Sequence, residues 1–418
     1  MSARLTASGL QSSGGLFGQC GVYQFDQNSS ILNPLDLNPY LLFDAETSMI
    51  GTLANPSLDL DPSKQETLDV ITATRSGSAT FVNILGQIET APANTVRVDH
   101  SLGEPAILIE PSSENLVDNY TSFQTTGSVL KASGIDAPDG TNTATRISNI
   151  AGATGTDAVY SRANSITPSS EITGSIYLRG DAGEIVRLYV KRYSGGTYVS
   201  TVAESVLLTG EWQRYESPSF TLNADNTNAA VTIRNDAETT ADSVDLWGGQ
   251  IELGSVSTSV IPTSGSPVTR ASDGLVISGS DFTDFFNSSQ GTYYVEAIDR
   301  TPLIQSAYIF GQGVGQYYLY SNTSSNVDSF DGTNFQSLPG VVANQPFRAA
   351  ATFTSSPSKN ISLNGQTTGQ GSFSSTPDTH TGSWGAANIL KIGNGYAGNT
   401  FNGFFKRVIF WPVSSDNL

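Results

Sequence analysis

Apolar and polar residues alternate in short runs along most of this chain. In residues 184–193, Val186, Leu188 and Val190 fall on one face, and Arg187, Tyr189 and Lys191 on the other. Successive side chains of a strand point to opposite faces, so this is the pattern of a half-buried strand. Residues 229–235 repeat it with Val231 and Ile233 inward, and 242–254 place Val244 and Leu246 inward, then a Gly248-Gly249 kink, then Ile251 and Leu253. Further on, Phe347, Ala349, Ala351 and Phe353 alternate with Arg348, Ala350 and Thr352, and Phe404, Lys406, Val408 and Phe410 oppose Phe405, Arg407, Ile409 and Trp411. Asn364-Gly365 is a two-residue hairpin signal. Residues 281–300 predict one short helical turn followed by a strand, and three shorter strands are expected at 78–83, 86–90 and 96–100.

Period-two alternation with one polar face implies antiparallel sheets sharing a core. The fold class is therefore all-β: an N-terminal extended docking arm (1–60), a short-strand connector (61–118), and two antiparallel β-sandwich (jelly-roll) domains at 119–265 and 266–418. The arm has no sustained period. Its anchors Leu16, Phe17, Tyr23, Phe25, Leu35, Tyr40 and Phe43 are separated by turn residues. Such a segment cannot bury a core of its own and is too apolar for a linker, so it is expected to dock on a partner or on sister chains. No repeat of 20–50 residues is visible, which argues against a β-solenoid. Residues 74–83 and 269–278 (TRSGSATFVN and TRASDGLVIS) are weakly similar, and both open domains.

Composition narrows the function. Asp plus Glu number 38 against 20 Lys plus Arg, a net charge of −18, which repels nucleic acid and anionic membrane. Neither membrane insertion nor Sec export is expected, because no apolar run is long enough and no charged-then-apolar leader opens the sequence. One cysteine, Cys20, and two histidines, His100 and His380, exclude a disulfide framework and a Cys/His zinc site. Charged residues make up 14% and aromatics 9%, the balance of a folded rather than a disordered chain.

No nucleophile elbow, phosphate loop or dinucleotide fingerprint occurs. His100 follows Asp99 in a context suited to a structural hydrogen bond, and His380 lies in a polar loop. Candidate carboxylates for glycoside hydrolysis, which needs a pair about 5–9.5 Å apart, include Asp99, Glu104 and Glu110, or Asp245 and Glu252. Asp245 and Glu252 are expected on a solvated sheet face, and the chain is expected not to be an enzyme. Binding is better supported. Tyr189, Tyr193, Trp212 and Trp247 fall on outward phases or in loops near Arg187 and Gln250, and the C-terminal half adds Tyr317, Tyr318, Asn334 and Trp384. Such rings stack on sugar C–H surfaces while polar neighbours bond hydroxyls; packing at edges and between chains is the alternative use. No cofactor is required, but the loop carboxylates Asp136 and Asp139, and Asp328 and Asp331, could hold calcium.

Three stretches carry resemblances. The string from Thr74 to Leu116, through Arg75, Ala79, Thr80, Asn83, Gly86, Glu89, Arg97, Asp99, His100, Glu110 and Asn115, resembles a segment common in bacteriophage virion proteins. Glu114 stands where that family usually has a further arginine. The string Gln250, Glu252, Gly254, Thr258, Ser259, Ile261, Pro262 and Thr263, with the segment 209–216, resembles carbohydrate-binding-module-like sandwiches of phage tail proteins. The order of motifs in 266–418 resembles the concanavalin-A-like jelly roll, including laminin-G relatives.

These resemblances imply a virion structural protein: a tail fibre or adhesin docked by residues 1–60 to tail, baseplate or capsid proteins, and contacting host surface glycan through its sandwiches. A homo-oligomer, and a trimer in particular, is implied too. Its place would be the extracellular virion after assembly in the host bacterial cytoplasm, where a chain without cysteine pairs is at home. The alternatives are a capsid-decorating or head-fibre protein without a ligand, and a glycan-depolymerising tailspike.

Overall fold

The alternations of the sequence become strands that close into two sandwiches. The computed structural model describes residues 56–413 apart from 151–156, 165, 195–196, 288, 302–306, 313–317, 322–325, 331–334, 355–358, 364–365, 368–388 and 394–399, together with a two-stranded pairing of 41–42 with 51–52. All strand pairings are antiparallel, and helix is confined to the single turns Gln65–Leu68 and Ser280–Thr283 among the described residues. The second is the turn expected ahead of the strand Gln290–Asp299. It is held by Phe282, Phe285 and Phe286, the last two packing on Phe410. The docking-arm residues Leu16, Phe17, Tyr23, Phe25, Leu35, Tyr40 and Phe43 lie outside the described residues.

One sandwich spans the middle of the chain. Its five-stranded sheet runs, in spatial order, Gln124–Thr125, Asp157–Ala163, Asn228–Arg234, Ile185–Ser194, Thr197–Leu207. The facing six-stranded sheet runs Leu130–Ile135, Ala144–Ser148, Ser243–Leu253, Glu171–Arg179, Gln213–Glu216, with Phe220–Thr221 also paired to Glu171–Arg179. The core between them holds Val186, Leu188, Val190, Val231, Ile233, Val244, Leu246 and Ile251, the inward positions of the alternation. Gly248 takes φ +68, and the register of Ser243–Leu253 against its neighbour shifts beside it. This bulge is why Leu246 and Ile251, of opposite parity, both point inward. Leu253, expected inward, is exposed at the strand's end.

The second sandwich departs from the expected boundaries. Its seven-stranded sheet runs Phe335–Pro339, Asn326–Phe330, Tyr318–Ser321, Ala307–Gln312, Ile389–Ile392, Gly274–Ser278, Thr72–Thr74. Its eight-stranded sheet runs Gln366–Thr367, Lys359–Leu363, Pro346–Thr354, Gln290–Asp299, Gly403–Trp411, Ala106–Ile109, Val98–Asp99, with Leu58–Leu60 also on Gly403–Trp411. Residues 61–118 are therefore not a connector. They supply outer strands to both sheets, and Leu58, Leu60, Leu68, Ile107 and Ile109 share one core with Leu275, Val295, Phe347, Phe405 and Phe410. The middle sandwich is inserted into this one.

The insertion has a stem. Ser113–Asn115 pairs with Val268–Arg270, Asn119 bridges Ser264, and the Gly265 N–H donates to the Asp118 carbonyl at 2.8 Å. The chain leaves and re-enters the jelly roll at one place. In the last strand, a register shift at Lys406 brings Phe405, not Phe404, into the core beside Val408 and Phe410. The simple alternation placed Phe404 there, and the extra residue of the bulge reverses the parity.

A fragment of residues 266–418 loses the strands Leu58–Leu60, Thr72–Thr74 and Ala106–Ile109, exposing Phe405, Phe410 and Ile392 to water. It is expected to show no cooperative melting transition, whereas 56–418 melts cooperatively; differential scanning calorimetry of the two distinguishes this topology from one in which the C-terminal sandwich stands alone.

Candidate functional site

The segments singled out by resemblance meet at the stem, and there they serve packing. Arg75 Nη1 lies 2.7 Å from Asp273 Oδ1, Arg97 Nη1 lies 2.8 Å from Glu110 Oε2, and Arg97 Nη2 is bonded to Asp273. Arg270 Nη2 stands 3.5 Å from Glu110 Oε2. Glu110 also accepts from Ser259 N at 2.5 Å and Ser259 Oγ at 2.6 Å. All five charged side chains are buried. Burial pushes the Glu110 carboxyl up, but Arg270, Arg97 and the bonds from Ser259 overcome it and hold the group well below the usual carboxylate range.

Around this network Asn115 donates to the Ile261 carbonyl at 2.9 Å and accepts from Val117 N, while Gln250 accepts from Ile261 N at 2.8 Å. Glu252 accepts from Thr258 N, Thr258 Oγ1 and Ser113 Oγ. Each motif residue thus satisfies a polar group that the stem would otherwise bury unpaired.

The carboxylates considered for hydrolysis are engaged in the same way. Asp99 accepts from Val82 N at 2.7 Å and Ser101 N at 2.8 Å, and Glu104 pairs with Lys406 at 2.6 Å. Asp245 and Glu252 were expected on a solvated face; both are buried instead. Asp245 is gripped by Arg146 at 2.6 and 2.9 Å and by Arg179 at 2.9 Å. The reason is that the outer face of Ser243–Leu253 is covered on both sides of its bulge.

The aromatic candidates part company. Trp247 does not reach solvent: its ring is buried edge-on against Tyr120 (5.2 Å) and Tyr177 (5.7 Å), and Nε1 donates to Thr143 Oγ1 at 3.0 Å. Trp212 is half-buried at the edge of the same cluster, with the Arg179 guanidinium 4.8 Å from its ring centre. Tyr317, Asn334 and Trp384 lie outside the described residues, and Tyr318 is described only as the start of a strand. For calcium, Asp139 caps its own turn by accepting from Thr141 N and Oγ1, Asp136 is exposed, Asp328 is buried and bonded to Ser337, and Asp331 lies outside the described residues. Among the described residues no three His, Cys, Asp or Glu side chains cluster as a metal site.

Tyr189 and Tyr193 share the outer face of the five-stranded sheet, where both are largely covered by neighbouring side chains. Their strand puts Val186, Leu188 and Val190 into the core, so Arg187, Tyr189, Lys191 and Tyr193 necessarily project from the other side. Register brings Ala230 and Thr232 beside Lys191 and Tyr189, and Arg162 beside Ala230. Because Ala230 and Thr232 are small, the long side chains lie across them and bury them. Thr232 Oγ1 is left buried without a hydrogen-bond partner among the described residues. Arg162 stacks 4.8 Å from the Tyr193 ring centre, and Arg234 lies 5.8 Å from that of Tyr189.

At one end of this face the Tyr189 hydroxyl donates to Asp236, which also takes Glu238 N at 3.0 Å and lies 3.3 Å from Arg187 Nε. Burial and the bond to Asp236 push the Tyr189 hydroxyl up. Asp236 is held below the usual carboxylate range, its bonds outweighing its burial. At the other end Tyr193 meets Tyr198 edge-on at 6.3 Å, and Lys191 Nζ lies 5.4 Å from the Tyr198 ring centre. Tyr198 is 50% exposed and offers an open ring. Sequence reasoning passed over Tyr198, although the Gly195-Gly196 hairpin signal places it opposite Tyr193.

No protein family matches the chain, and no curated protein matches it. Among solved structures, the CBM22-1 xylan-binding domain of Paenibacillus barcinonensis Xyn10C is similar at 13% identity over 35% of this chain and 94% of that domain, with a TM-score of 0.26. The enzymatically active domain of tailspike protein 4 from bacteriophage CBA120 is similar at 8% identity over 32% of this chain and 19% of its own length, with a TM-score of 0.23. Trypanosoma rangeli sialidase in complex with sialic acid is similar at 11% identity over 69% and 60%, with a TM-score of 0.28. All three scores are low.

Glu110 gives a pH prediction. Its folded pKa is lowered, so its contribution is present above the unfolded glutamate value of about 4.3 and is lost as pH falls through the folded value. Glu110→Gln is expected to cost about 3–5 kcal/mol near neutrality, because it leaves buried arginines uncompensated. In urea unfolding, the gap between wild type and variant should narrow progressively as pH falls below about 4; a gap independent of pH would refute the assignment.

Proposed function

We propose that this protein is a bacteriophage tail fibre or adhesin that holds host surface glycan on the outer face of its inserted sandwich. The observation that carries the reading is the row Tyr189, Tyr193 and Tyr198, flanked by Arg162, Arg187, Lys191 and Arg234 on one sheet face. Tyr198 would stack on the C–H surface of a sugar ring. The surrounding guanidinium and ammonium groups would bond its hydroxyls. A face with one open ring binds weakly, and several copies on one particle would convert that into avidity through effective concentration.

The virion setting comes from the resemblance of residues 74–116 and 250–263. In this reading residues 1–60 dock to tail, baseplate or capsid proteins and the chain works without catalysis. Oligomerisation draws on Ile84 and Leu85, the exposed tip of the hairpin formed by Ala79–Val82 and Ile88–Ala91. A single-chain mass in analytical ultracentrifugation would remove that element. Imaging of particles with antibody against 266–418 separates the tail reading from a head-fibre one: label at the tail tip or baseplate supports the first, label over the head the second.

The face itself is tested by Tyr198→Ala on isolated host surface polysaccharide. A loss of about 1–2 kcal/mol, roughly five- to thirtyfold in Kd, is expected with an unchanged melting temperature, since Tyr198 lies at the surface. Unchanged binding by Tyr198→Ala and by Arg162→Ala would refute this use of the face.

A further inference from the structure

A second feature, remote from the tyrosine row, lies where the two sandwiches meet. The 79–91 hairpin, the loop after Ser257 and the ends of jelly-roll strands enclose a cavity of about 310 Å³. Ligand pockets of about 300–1,000 Å³ concentrate at domain interfaces and pair apolar walls with a few converging polar groups. This cavity has both. Phe81, Leu102, Val260 and Phe404 supply apolar wall, and Tyr177, Arg300, Glu216, Asp99 and Asn344 supply donors and acceptors.

The state of those polar groups defines the ligand. Glu216 is paired with Arg300 at 3.1 Å and accepts from Ser257 Oγ at 2.5 Å. Glu110, at the back, is compensated by Arg97 and Arg270. Asp99 takes two backbone N–H groups. Arg214 donates to the Thr258 carbonyl and to Ser175 Oγ. Glu216, Arg300 and Glu110 are thus matched by ion pairs, and Asp99 and Arg214 are held by backbone and hydroxyl groups. Tyr177 is different: its ring is locked against Trp247, it has Asp99, Glu110 and Arg300 for neighbours, and its hydroxyl makes no hydrogen bond with a described residue. Tyr177 lines the cavity, so its hydroxyl is available to bond a ligand hydroxyl.

We infer that this cavity is a second binding site that takes one neutral, polyhydroxylated ring, its C–H faces against Phe81 and Phe404 and its hydroxyls on Tyr177, Asp99, Asn344 and the Glu216–Arg300 pair. Ligand hydroxyls add bonds to oxygens and N–H groups already in place, whereas a charged ligand would compete with the Glu216–Arg300 pair. The site uses residues from both sandwiches, so it exists only in the intact chain. It stands on different residues from the tyrosine row and is independent of it.

Titration of the full chain with D-glucose, D-galactose, D-mannose, N-acetyl-D-glucosamine and myo-inositol, followed by saturation-transfer NMR and by fluorescence of Trp247 beside Tyr177, tests this. At least one probe is expected to bind in the millimolar range. Its affinity should fall about tenfold in Tyr177→Phe, the effect of losing one hydrogen bond to a buried group. Leu102→Trp, which fills the mouth from a partly exposed position, should abolish binding, and Tyr198→Ala should leave it intact. Absence of binding by every probe overturns the inference. So does a bound probe that survives Leu102→Trp but is lost with Tyr198→Ala, since that places it on the sheet face.

Discussion

Two carboxylates and three guanidinium groups, sealed from water at the stem, decide how the rest of the protein can be arranged. Arg75 follows the strand Thr72–Thr74, Arg97 precedes Val98–Asp99, Glu110 follows Ala106–Ile109, Arg270 ends the stem strand Val268–Arg270, and Asp273 precedes Gly274–Ser278. Each stands where a strand begins or ends. Removing such groups from water costs several kcal/mol per ion, and it is offset by close pairing and hydrogen bonding. Here the surplus positive charge is absorbed by carbonyls: Arg75 donates to Gly77 and Pro92, and Arg270 to Pro111 and Ala271. Arg97 Nε and Arg270 Nε stay buried without a partner among the described residues, but the remaining bonds fix how these strand ends sit together. The gain is less in net stability than in a unique geometry for the point where the chain leaves the jelly roll and returns.

From that point the inserted sandwich has little freedom. The outer face of its six-stranded sheet is consumed at the junction, with Asp245 gripped by two arginines, Gln250 and Glu252 bonded to the 257–261 loop, and Trp247 enclosed by Tyr120 and Tyr177. The outer face of the five-stranded sheet, with its tyrosines and cations, is not used in this way. The interdomain cavity follows from the same constraint, because two rigid sandwiches joined by a short stem cannot close on each other completely.

Much of the candidate site was readable from alternation. Once Val186, Leu188 and Val190 are inward, Tyr189 and Tyr193 must point out, and the Gly-Gly hairpin then brings Tyr198 opposite Tyr193. The weak likeness of 74–83 to 269–278 also carried more than a domain opening: Thr74 pairs with Gly274, and Arg75 bonds Asp273. Trp247 was misread for a definite reason. Its phase does point away from the sandwich core, but the face it points to is itself covered. The polar motif residues Asn115, Gln250 and Glu252 were visible as motifs, while their use as interior fasteners was not.

What the sequence determined by itself is therefore local: strand positions, the sidedness of each strand, hairpin turns, and too few cysteines and histidines for a disulfide framework or a Cys/His zinc site. These follow from a two-residue period and from composition, which need no knowledge of distant chain. Tertiary structure alone decided which strands share a sheet, where bulges at Gly248 and Lys406 reverse parity, and whether an outward face meets water or protein. Those outcomes rest on contacts such as Asp59 with Arg407, 348 residues apart, and no periodicity within a strand can encode what will lie against it.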